Sequence, residues 1–81
     1  MKISDIKNFY VEDIYNNHKE IRVSSLKKAC EIAIERAETT TLIHIGSFNL
    51  DRYHIGDTYE TLYQRCADII KECDGKFGAW F

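Results

Sequence analysis

The chain of 81 residues contains no proline and only four glycines, so nothing in it marks a linker or an internal domain boundary. No apolar run approaches the roughly 18 to 20 residues that cross a bilayer, and the opening Met1-Lys2-Ile3-Ser4-Asp5 lacks the apolar core of a secretion signal. Its three cysteines are an odd number without CxxC spacing, which argues against a disulfide scaffold and against a zinc or redox motif. The expectation is a cytoplasmic protein with reduced thiols and no membrane partner. Basic residues do not run together either, and the net charge is -2. Unspecific duplex DNA binding draws on many Lys/Arg contacts to phosphate and is not expected here. Imitation of DNA would need a dense acidic face, and the acidic residues are equally dispersed.

What is present is a globular composition, 44% hydrophobic and 30% charged, which excludes disorder and points to one domain over residues 1–81. A chain of this size hides roughly 60% of the surface of its extended form, a thin reserve that oligomerisation would increase.

The clearest element is a helix over Thr58 to Cys73. Asp57 and Glu60 have the spacing of a capping box, Tyr59, Leu62, Tyr63, Cys66, Ile69, Ile70 and Cys73 form one apolar stripe, and Asp74-Gly75 supplies a stop. Glu60, Gln64, Arg65, Asp68, Lys71 and Glu72 fall on its solvent side. A second helix, Leu26 to Glu38, enters through Ser24 or Ser25 and carries a stripe of mostly small residues, Leu26, Ala29, Cys30, Ala33 and Ala37, suited to close packing on a sheet. Between the helices, Thr41–Ile45 and Leu50–Ile55 read as a hairpin. A loop around Asn49 sets Ile45 against Tyr53, Ile43 against Ile55, and His44 against His54 on the other face. Phe9–Tyr15 and Lys19–Val23, separated by Asn16-Asn17-His18, favour another hairpin over a helix that Ile3, Ile6, Tyr10 and Ile14 would also fit. Lys76–Phe81 reads as a final strand. The fold class is therefore α+β, with two helices packed on one face of an antiparallel sheet in the order ββαββαβ.

No phosphate loop is present, since Gly56 is followed by Asp57 where an anion would sit. Cys30, Cys66 and Cys73 lie on apolar helical faces and read as small buried hydrophobes. Two histidines across a hairpin supply at most half a zinc shell, so neither a metal nor another cofactor is expected. Ten aromatic residues are more than so small a core readily hides. Tyr10 and Tyr15 on an edge strand, Phe48 at a hairpin tip, Trp80 near the end, and Arg52 with His54 are the candidates for a contact surface with another protein.

No catalytic residue is assigned. The expected function is a non-enzymatic binding protein acting through protein–protein contacts. Its size and lack of motifs suit a small inhibitor or regulator of phage or mobile-element type, anti-CRISPR-like proteins included. The alternative is an RNA-directed protein, an endoribonuclease toxin or RNA binder. In it His44 and His54 exchange protons and Arg52 stabilises phosphate charge on the open face of the central hairpin. A homodimer joined through the terminal strand is a third expectation.

Overall fold

The computed structural model describes residues 3, 6–14, 19–46 and 48–73. Its elements are β1 (Phe9–Asp13), β2 (Lys19–Val23), α1 (Leu26–Arg36), β3 (Thr41–Ile45), β4 (Phe48–Arg52) and α2 (Tyr59–Cys73). The four strands form one antiparallel sheet in the order β2-β1-β3-β4. The α+β class with both helices on one face is thus observed, in the order ββαββα. The seventh element expected at Lys76–Phe81 lies outside the described residues, as do Tyr15 and Trp80.

Alternation along the strands decides which face is covered. Phe9 and Val11 of β1 and Ile43 and Ile45 of β3 are fully buried, and they meet Leu26, Ala29, Cys30 and Ala33 of α1 and Leu62, Cys66 and Ile70 of α2. Small residues on α1 let it sit over β1 and β3, while α2 lies beside it over β4. Val11 lies opposite Ile43, and Phe9 opposite Ile45, so two of the three β1–β3 rungs on this side join core residues, while the third pairs buried Asp13 with buried Thr41.

Helix boundaries follow their caps. The Ser25 hydroxyl accepts the Lys28 N–H at the start of α1. The helix stops at Arg36, earlier than Glu38, because Ala37 turns into the left-handed region at φ 51° and its N–H returns to the Ala33 carbonyl. In α2 the capping box is Thr58 with Thr61, not Asp57 with Glu60. The Thr61 N–H donates to Thr58 Oγ1 and the Thr58 N–H donates to Thr61 Oγ1. That exchange leaves the Asp57 carboxylate for other partners.

The central hairpin also differs from expectation. Gly46 has φ 53°, the positive value that a two-residue hairpin turn requires at its first position, and Ile45 pairs directly with Phe48. The returning strand is therefore Phe48–Arg52 and not Leu50–Ile55. His44 lies opposite Asn49, Ile43 opposite Asp51 and Leu42 opposite Arg52, which replaces the pairing of His44 with His54. The register slips by one residue between Ile43 and His44. Leu50 is the inserted residue, and it turns into the core at 7% exposure.

Candidate functional site

No described element lies over the second face of the sheet. Register assigns it Arg22, Tyr10, His44 and Asn49 in one row across the four strands, and Glu20, Glu12, Leu42 and Arg52 in the next. Tyr10 and His44, direct partners on β1 and β3, stack with ring centroids 5.1 Å apart and planes 12° from parallel. This stack and its neighbours leave His44 only 8% exposed. Arg22 and Arg52 are exposed on the two edge strands, Glu20 lies beside Arg22 on β2 and Glu12 on β1 between the edges, so the face carries both signs of charge.

The His44 ring is held at both nitrogens. Nδ1 is 2.6 Å from the Gly46 carbonyl oxygen, which can only accept, so Nδ1 carries the hydrogen and donates it. Nε2 is fully buried and makes no hydrogen bond. It lies 3.1 Å from Glu20 Oε2 without the alignment a hydrogen bond needs. Glu12, Glu20 and His44 each bring one ligand atom to within 4.8 Å of the others.

A second polar cluster sits where β4 leads into α2. Arg65, expected on the solvent side, turns inward and uses its whole guanidinium. Nε donates to Asp51 Oδ2, and Nη1 and Nη2 donate to the two oxygens of Asp57, each at 2.7 Å. Nη2 also reaches the Arg52 carbonyl at 3.3 Å and His54 Nδ1 at 3.0 Å. Since arginine can only donate, His54 Nδ1 accepts, and its 3.7 Å approach to Asp57 Oδ2 is no ion pair in this tautomer. Asp57 also accepts the His54 N–H and the Thr61 hydroxyl. The Arg65 fork holds the Asp57 carboxyl well below the usual carboxylate range, and the two aspartates push Arg65 above its ordinary value. The Arg65 guanidinium and the Asp51 and Asp57 carboxylates at this corner bond to one another and to neighbouring backbone, which is the arrangement of a structural clasp.

The expected site residues therefore part company. Tyr10, His44 and Arg52 share the uncovered face, with Tyr10 on a central strand and not an edge. His54 belongs to the Arg65 corner, and Phe48 is half-buried and packs against the core. Glu12, Glu20 and Arg22, which the sequence reading passed over, join the uncovered face. Of the thiols, Cys30 and Cys66 are buried and Cys73 half-buried. The neighbouring Cys30 thiol and burial push Cys66 far above the ordinary thiol range, so it stays protonated.

Beyond the β2 end of the face, an open groove of about 570 Å³ is lined by Lys7, Arg22, Val23, Ser24 and Lys28. No described helix is long and apolar enough to cross a membrane. Comparison with known proteins found no family model that matches the chain, and no curated protein or solved structure that does.

Proposed function

We propose that this chain is a non-enzymatic protein-binding module that engages its partner through the uncovered sheet face. The observation that carries the reading is the Tyr10–His44 stack at the centre of that face, flanked by exposed Arg22 and Arg52. Aromatic and arginine side chains dominate protein contacts because they bury large area at small entropic cost. The face is balanced by Glu12 and Glu20, which suits a mixed polar partner surface better than a phosphate backbone. A role as a small inhibitor or regulator, of phage or mobile-element type, and a cytoplasmic location are the parts of this reading that rest on size and composition alone. The RNA-directed alternative gains nothing from the geometry, since His54 sits in the Arg65 corner and His44 has Nδ1 tied to Gly46.

The test is affinity capture from a bacterial lysate with three baits: the native chain, Arg22→Glu/Arg52→Glu on the uncovered face, and Lys27→Glu/Glu31→Lys on exposed α1. A protein retained by the first and third baits but lost from the second supports the reading. Equal retention by all three, or retention of RNA that falls steeply as salt rises, overturns it.

A further inference from the structure

We propose that Glu12, Glu20 and His44 form a binding site for a zinc-class divalent cation on the uncovered sheet face. The first ground is the His44 tautomer. With its hydrogen on Nδ1 and donated to the Gly46 carbonyl, Nε2 presents a lone pair. That lone pair is buried, lacks a hydrogen bond and lies 3.1 Å from a carboxylate oxygen, which offers only further lone pairs. In the neutral ring two acceptors face each other, a conflict that a proton on Nε2 or a metal cation between them removes. A backbone carbonyl gripping the far nitrogen is also the usual second support of a metal-binding histidine, because it fixes the ring's orientation and raises the basicity of the ligating nitrogen.

The second ground is the pairing of Glu12 with Glu20. They are direct partners across β1 and β2, where like charges repel. His44 reaches them diagonally from β3, so three adjacent strands each give one ligand and the sheet fixes their spacing. In a tetrahedral zinc site, bonds of about 2.0 to 2.2 Å place ligand atoms about 3.3 Å apart. Nε2 and Glu20 Oε2 are already at 3.1 Å, and the whole set falls within 4.8 Å. Closing that last gap asks only for rotamer changes in glutamate side chains, one half-exposed and one exposed. An imidazole nitrogen with two carboxylates suits zinc and its transition-metal neighbours, whereas magnesium and calcium prefer oxygen alone. A three-ligand set leaves a fourth position for water or for a donor from a partner.

Metal-stripped full-length protein titrated with Zn²⁺ alone, followed by calorimetry and by thermal unfolding, tests the site. The expected result is one ion per chain with a rise in Tm, no comparable rise with Mg²⁺, and a loss of affinity of about 100-fold or more in Glu12→Gln/Glu20→Gln, at least that of losing an outer-shell support. Both substitutions keep side-chain size at positions outside the core, so folding is preserved. His44→Gln is the second variant, checked by circular dichroism. Cobalt substitution should give visible absorption without a thiolate charge-transfer band, since no cysteine takes part. Absence of zinc binding, binding that survives the double glutamine variant, a thiolate band, or an equal response to Mg²⁺ each overturns the site. Binding of the ion needs no partner, so a failed capture experiment leaves this result standing on its own.

Discussion

Adjacent residues on β1 face two different worlds. Phe9 points into the layer between sheet and helices and is fully buried, while Tyr10 points to the uncovered side and rests on His44. Apart from the Asp13–Thr41 rung at one end, the covered face is built from alkyl, aromatic and thiol groups that need only shape and volume to agree. The uncovered face holds arginines, glutamates, a histidine and a tyrosine whose positions are fixed by strand register. Stability should therefore reside on one side and recognition on the other. A substitution that violates that division would be informative.

The largest effect is expected from Phe9→Ala, which removes a ring from the centre of the core and should cost about 3 to 5 kcal/mol in chemical denaturation. Tyr10→Ala, one residue away, loses a stack and a half-buried ring and should cost about 1.5 kcal/mol. If the two losses are equal, the uncovered face is a second core and its assignment as a contact surface fails.

Arg65→Leu comes next, with an expected loss of about 2 kcal/mol, because it strands the Asp57 carboxylate, whose side chain is only 7% exposed. Its pH dependence follows from linkage. The folded-state pKa of Asp57 is depressed, so its contribution is complete above the unfolded value near pH 4 and disappears as the pH falls through the folded value. The gap in stability between native chain and variant should narrow as denaturation is repeated at successively lower pH below about 4. A gap that stays constant down to pH 2 would show that Arg65 acts through packing instead of charge.

The covered layer was legible in the sequence because each helix announces itself locally. The stripe from Tyr59 to Cys73 and the small residues of α1 need no knowledge of distant partners. The uncovered face was only half legible. Glu12 and Glu20 lie on the two segments read as the first hairpin, but a loop at Asn16-Asn17-His18 would set Glu12 opposite Arg22, so their pairing was not legible. Their meeting with His44 was not legible either, because the pairing of β1 with β3 joins segments separated by a whole helix. Nor does the sequence mark the bulge at Leu50, which reads as an ordinary strand residue and yet shifts every later rung of β4. Arg65 looked like any solvent-side residue of α2. The signal that would have placed it is Asp57, spared from capping by the Thr58–Thr61 exchange and free to draw a cation eight residues on.

A smaller effect sharpens the picture of the helical side. Ala37 closes α1 in the left-handed region with a Cβ that this conformation disfavours. Ala37→Gly should raise stability by about 0.5 to 1 kcal/mol, with the strain removed slightly outweighing the extra freedom of the unfolded chain. Unchanged stability would mean that the helix end relaxes without strain.

The smallest effect on stability is expected from Arg22→Glu/Arg52→Glu, within about 0.5 kcal/mol of the native chain, because both side chains are exposed and Arg52 meets the Arg65 corner only through its backbone. Its value lies in the contrast with its effect on binding. Reversing two charges beside the Tyr10–His44 stack places like charges wherever the partner is acidic, and such mismatches cost several kcal/mol of affinity. Thermal unfolding and partner capture measured on the same preparation separate the two quantities. A variant that folds normally and still retains the partner would move recognition off this face, leaving the basic groove at Lys7 and Lys28 as the surface to substitute next.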